Sequence, residues 1–205
     1  MPKNSTSNKK SRARRASVAP RRPALLSDLP ADSSEEGLVN VVIETPRGNA
    51  NKFDYDPTLG AMRLKKVLPQ GMVFPFDFGF IPSTLADDGD PEDVLVLIEH
   101  SVAPGVVLSA RLIGVIEAIQ TEPDKDPQKN DRLIAVVPAC RMYASMHTLA
   151  DLPKEVVDQI EHFFVTYNAE EGKQFEPQGQ HGPTQAMKCL HQAQKRYART
   201  RQKKE

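Results

Sequence analysis

The order in which two hydrophobic periods follow one another constrains this chain more than any single residue. Up to residue 137, apolar residues come in short β-branched runs closed by Gly, Pro or Asp, and beyond residue 150 they recur at helical spacing. The spacing predicts strands over 38–45, 52–56, 62–68, 73–81, 93–100, 106–120 and 132–137. Gly114 stands near the middle of the longest run, where a strand can bend sharply. Val156, Val157, Ile160, Phe163 and Phe164 then share one face of a helix over 153–168, and Met187, Leu190 and Ala193 share a side of another over 183–198. Strands first and helices last predict an α+β domain, a small antiparallel barrel with C-terminal helices packed on it.

A chain of 205 residues with 39% hydrophobic content suits one globular domain with a tail attached. No apolar stretch approaches the roughly 18–20 residues that span a bilayer, and no signal-peptide apolar region is present. Cys140 and Cys189 form no CxxC pattern and are expected as free thiols in a reducing compartment. P-loop, GxGxxG, HExxH and GxSxG patterns are absent, which weighs against ATP-binding and serine-hydrolase readings.

The zero net charge conceals two different objects. Residues 1–23 carry eight basic side chains and no acid; the remaining 19 basic residues face 27 acids, an excess of about eight negative charges. Residues 1–37 are therefore expected to be a basic, disordered arm and hinge, 38–199 the folded domain, and 200–205 a basic tail. Three readings of the arm stand side by side: a solvated tail, a polyanion-binding or targeting segment, and a phosphorylation site at Ser17 after Arg14-Arg15-Ala16. Cytoplasm is the expected compartment, or an organelle if residues 1–26 act as a transit segment. No membrane partner is expected, and nucleic acid only through the basic arm.

The segment Asp88-Gly89-Asp90-Pro91-Glu92-Asp93 opens directly into Val94-Leu95-Val96-Leu97-Ile98. Three aspartates at i, i+2 and i+5 gather in a small volume only around strong positive charge, since their repulsion otherwise splays the loop. Gly89 allows a tight backbone path and Pro91 fixes φ beside it. Oxygen-only donors point to a hard divalent cation such as Mg²⁺ rather than Zn²⁺. An EF-hand is excluded, because Asp93 occupies its glycine position and a strand-like run follows where a helix belongs. Taken alone, the loop also reads as an acidic turn before a strand.

Its surroundings add four ordered segments: Glu44-Thr45-Pro46 with Lys52, the run from Val73-Phe74-Pro75 to Gly79, Ile134-Ala135-Val136, and His162-Phe163-Phe164-Val165-Thr166-Tyr167. Over about residues 38–198 the chain resembles the soluble, Mg²⁺-dependent inorganic pyrophosphatases of family I. The resemblance implies a five-stranded OB-like barrel and hydrolysis of pyrophosphate to two phosphates by a metal-activated water. It implies Mg²⁺ as cofactor, Mn²⁺ as a substitute, and a homo-oligomer, either dimer or hexamer.

By position, Asp88 is similar to a first-metal ligand, Asp93 to the carboxylate shared between two metals, and Asp90 to the acceptor of the water's proton. Glu44 matches a residue that holds a metal through water, Lys52 and Tyr167 match phosphate-binding residues, and Asp54 stands where the family commonly has Glu. Departures concentrate in the same region. Lys66 stands for the substrate-binding arginine, Arg132 for a lysine, Phe74 and Phe78 for tyrosines, Asp77 for Asn, and Asn168 for a lysine. Two further metal-ligating aspartates fall on Gln120 and Asn130. The loop between Gly114 and Arg132 is about five residues longer than usual and carries Glu122, Asp124, Asp126 and Asp131; Asp131 is the first choice to restore a lost ligand, with a solvated acidic loop as the competing reading.

A divergent pyrophosphatase is thus the leading expectation. A hydrolase of another phosphoanhydride or phosphoester is the nearest variant, with Phe74 and Phe78 as an apolar wall. A non-catalytic OB-like binding protein is the alternative from another class, opposed by the acidic body.

Overall fold

In the computed structural model, residues 25–203 are described; the expected disorder of residues 1–23 lies outside them, and residues 25–37, expected within the arm and hinge, are instead held to the domain by hydrogen bonds. The strands are β1 (Val39–Thr45), β2 (Asn51–Asp56), β3 (Ala61–Val67), β4 (Asp77–Ile81), β5 (Glu92–Leu97), β6 (Val107–Thr121), β7 (Gln128–Lys129), β8 (Arg132–Val136) and β9 (Gln174–His181). Helix α1 (Lys154–Ala169) precedes β9, and α2 (Pro183–Gln202) ends the chain.

Five strands close a ring in the order β1-β4-β5-β8-β6, with β6 returning to β1. Four of its seams are antiparallel as expected, but β5 and β8 run parallel. A parallel pair needs a long crossover, and the excursion through β6 and the 122–131 loop supplies it. Hairpin β2–β3 forms a separate two-stranded sheet, and β9 pairs along the far half of β6. The OB-like α+β architecture is therefore present, with one seam of opposite sense.

Alternation along the strands makes two cores. Val94 and Val96 of β5 face a cluster drawn from all five ring strands and covered by α2, with Leu190 and Ala186 fully buried. Leu95 and Leu97 face the other way, toward α1 through Ile160 and Phe164. Strands buried on both faces explain why the β5 sequence is continuously apolar.

Several expectations shift in detail. Of the predicted strand 73–81 only Asp77–Ile81 pairs as a strand; Phe74 instead exchanges backbone bonds with Asn49 and Gly48, and Pro75 has no N–H to give. Gly114 does sit at an irregularity in the β6–β8 register. Its requirement is space, since a Cβ there would overlap the Leu149 side chain and lie 2.5 Å from the His181 carbonyl oxygen. No helix among the described residues is long and apolar enough to cross a membrane.

Candidate active site

A broad polar cleft opens where β1, the β2–β3 hairpin, the 88–93 loop, the start of β8 and the end of α1 meet. Glu44, at the end of β1, is buried; its Oε1 accepts the Tyr55 N–H at 2.7 Å and its Oε2 lies 3.5 Å from Lys52 Nζ. Lys52 also pairs with Asp54 and sits 4.8 Å above the Phe78 ring. The carboxylate of Asp54 is shared with Lys65 at 3.5 Å. Alternation along β2 turns Lys52 and Asp54 to one side of the strand.

Across the cleft the acidic loop is ordered by its own backbone. Gly89 has φ 95°, a left-handed conformation that glycine adopts without strain, and Asp88 Oδ1 accepts the Asp90 N–H at 3.1 Å. Asp93, the second residue of β5, meets Arg132 of β8 with Oδ2 2.9 Å from Nη1. That same Nη1 bonds the Asp131 carbonyl at 2.9 Å and the Asn130 side chain, and the guanidinium packs 4.8 Å from the Phe164 ring. Tyr167 stacks on Phe163 at 5.6 Å, and Lys66 lies 3.7 Å above the Tyr167 ring while pairing with Glu171.

Burial pushes the Glu44 carboxyl up to about 7 against the opposing pull of Lys52. Burial likewise pushes Asp93 up to about 6, opposed first by Arg132 and then by Lys52. Asp88 is also raised, again mainly by burial. Burial alone would depress Lys52, but the Glu44, Asp54 and Asp93 carboxylates outweigh it and raise its ammonium. Lys66 is lowered, with burial the main cause, and burial raises the Tyr167 phenol. The carboxylates of Glu44, Asp88 and Asp93 are thus held ionised only with difficulty by the cations present. Oxygen donors so disposed fit a hard divalent cation, whose charge would relieve the same strain.

The cleft brings together Glu44, Lys52, Asp54, Lys66, Asp88, Asp90, Asp93, Arg132 and Tyr167. It does not include Asp131. That carboxylate accepts the Ala118 N–H at 3.2 Å and pairs with Lys129 at 2.9 Å, on the other side of the strand from Arg132. Gln120 and Asn130 do face the cleft and join each other through Asn130 Nδ2 at 3.0 Å, an amide pair where two carboxylates would repel. Asn168 is buried and donates to the Phe164 carbonyl at 2.8 Å. Phe74 and Phe78 are 1% and 3% exposed and belong to an aromatic cluster with Phe163, Phe164 and Tyr167, so core packing accounts for them.

Lys125, Glu171 and Lys173 line the cleft and escaped the sequence reading, as did Asp56, Arg63 and Lys65 of the β2–β3 hairpin. Glu122 receives Lys125 at 2.5 Å and Lys173 at 2.8 Å, which ties the long loop to the turn after α1. Glu122 and Lys125 lie three residues apart, whereas the Glu122–Lys173 pair joins segments far apart in sequence, which no local pattern announces.

A family model described as inorganic pyrophosphatase matches residues 41–198. A relative from Thermus thermophilus, named inorganic pyrophosphatase, is 43% identical over 150 residues, covering 73% of this chain and 83% of its own length. Another so named, from Halalkalibacterium halodurans, is 36% identical over 163 residues, covering 80% and 97%. The crystal structure of inorganic pyrophosphatase from Thermus thermophilus superposes with a TM-score of 0.78 at 37% identity, over 85% of this chain and 99% of that one. Sequence, fold and the content of the cleft converge, and the chain belongs to the inorganic pyrophosphatase family.

Proposed function

We propose that this protein hydrolyses inorganic pyrophosphate to two phosphates with the help of Mg²⁺, for which Mn²⁺ can substitute. The observation that carries the reading is the convergence of Asp88, Asp90 and Asp93 on the same cleft as Lys52, Lys66 and Arg132, in a chain of this family. Asp88, Asp93 and Glu44 would hold the cation. When bound, the metal supplies charge neutralisation and a lowered pKa for water.

The remaining roles fall to the chain's own residues. Lys52, Lys66 and Arg132 bind and orient the substrate's phosphoryl oxygens, with the Tyr167 hydroxyl as a further donor. Asp54 fixes the Lys52 ammonium. The carboxylate of Asp90, at the open end of the loop, takes a proton from the attacking water as its oxygen bonds to phosphorus and the bridging P–O bond breaks. Lys173 and Lys125, held at the mouth by Glu122, extend the positive field toward an incoming anion.

Exposed Leu59, Leu64, Val67 and Val73 support a homo-oligomeric working form, and two free buried thiols support a reducing, cytoplasmic compartment. Phosphate release from pyrophosphate tests the central reading. Purified protein is expected to turn over only with Mg²⁺ or Mn²⁺, and Asp90→Asn is expected to lower kcat by about 10²-fold or more. A folded protein releasing no more phosphate than that variant would overturn the assignment.

A further inference from the structure

Glu92 and Asp131 are chain neighbours of Asp93 and Arg132, so strand alternation turns them away from the cleft. There Asp131 meets Cys189 of α2 and Glu117 of β6, and Glu92 lines a small cavity beside them. Glu117, Asp131 and Cys189 each place one donor atom within 4.8 Å of the other two. Cys189 Sγ donates to Asp131 Oδ2 at 3.5 Å, and Lys129 Nζ bridges Asp131 at 2.9 Å and Glu117 at 3.3 Å. Glu117 is further steadied by Gln185 at 2.7 Å and His181 at 3.2 Å.

Glu92 supplies the independent observation. It is 4% exposed, its Oε2 meets no hydrogen-bond partner among the described residues, and it lines one small cavity with Asp131, Cys189 and Lys129. A buried carboxylate oxygen without a donor is costly, and the nearby Arg196 is already engaged by Asp87 at 2.9 Å and the Leu85 carbonyl at 2.7 Å. Lys129 thus serves Asp131 and Glu117, and the buried Glu92 oxygen beside them is left without a donor. Lys129 is 38% exposed along its side chain and has solvent to move into.

We propose that Asp131, Cys189 and Glu117 form a metal site separate from the cleft, beside the unpartnered Glu92 carboxylate, suited to a borderline-soft divalent ion of the Zn²⁺ class, with Lys129 as its internal substitute. A thiolate beside carboxylates selects such an ion over Mg²⁺. On binding, the Cys189 thiol proton passes to the buffer and the Lys129 ammonium swings out to water. The ligands come from β6, the residue just before β8 and α2, so the ion cross-links the C-terminal helix to the barrel.

Co²⁺ serves as a spectroscopic probe on the full chain in excess Mg²⁺. One equivalent is expected to give a thiolate-to-cobalt charge-transfer band that Zn²⁺ bleaches. Cys189→Ser removes the band and Cys140→Ser keeps it. Asp131→Asn, which preserves side-chain shape, weakens Co²⁺ binding about tenfold or more, and Lys129→Met strengthens it by a similar factor. A folded wild-type protein with no band at millimolar Co²⁺ overturns the proposal, as does a band that survives Cys189→Ser.

Discussion

Arg132 shows how much one side chain can organise in this cleft. Its Nη1 joins Asp93, Asn130 and Asp131, and its plane lies against Phe164 at 4.8 Å and Phe175 at 5.3 Å. A lysine has neither the fork nor the flat face for this set of contacts. Arg132→Met is expected to cost about 3 kcal/mol, because it leaves Asp93 without its nearest cation; urea unfolding without metal measures it. Gly79 sets a different limit. A Cβ there would overlap the Val42 carbonyl oxygen and stand 2.9 Å from Ile43 Cα, both backbone atoms of the adjacent strand. Gly79→Ala should therefore cost about 3 kcal/mol in the same assay. Asp88, Asp90 and Asp93 are legible in the sequence because they lie within one loop and must share one environment. Asp131 is not legible in the same way, since its side of the strand depends on register, and a shift of one residue exchanges cleft for core. Glu171 and Lys173 leave no local trace, because their partners Lys66 and Glu122 lie far away in the sequence.

At the scale of elements, runs with a clear hydrophobic period were readable and β9 was not. Its sequence, Gln174–His181, has one buried apolar residue, Phe175, and holds both Pro177 and Gly179. It becomes a strand because β6 outlasts the ring and offers an unpaired edge from Val115 to Thr121. The 122–131 loop is joined to the residues just before β9 by the Glu122–Lys173 pair. The Lys125 and Lys173 ammonium groups hold the Glu122 carboxyl down to about 2. A depressed carboxylate stabilises the fold above its unfolded value, near 4.5, and that contribution fades as pH falls from there toward 2. Melting curves of wild type and Glu122→Gln should therefore differ at pH 7 and converge near pH 2. Parallel curves over that range would mean that the tether does not form.

Across the whole molecule, residues 25–37 act as a strap that joins the end of α2 to β1, β2 and the turn after β4. Asp28 accepts the Tyr197 hydroxyl at 2.9 Å and lies 3.4 Å from Arg201, both near the end of α2. Ser27 accepts the Ser83 N–H at 3.0 Å, Ala31 accepts the Asn40 N–H at 2.8 Å, and Leu26 donates to the Tyr55 hydroxyl at 3.1 Å. Polar composition hides this role, since a segment held mainly by hydrogen bonds has little apolar periodicity to display; buried Ala31 is its one core residue. Each such bond is worth about 1 kcal/mol net, and ordering a short, partly extended segment takes back a good share. Removing residues 1–37 should thus lower stability by about 2–3 kcal/mol relative to removing only 1–24. In a domain of this size, that corresponds to a fall in Tm of about 4–12 °C by calorimetry. Hydrogen exchange supplies a second readout: loss of the strap should expose the last turn of α2, which Asp28 holds, and leave the β5–β8 seam protected. Equal melting temperatures and an unchanged α2 terminus in the two truncations would show that the strap rides on the barrel without stabilising it.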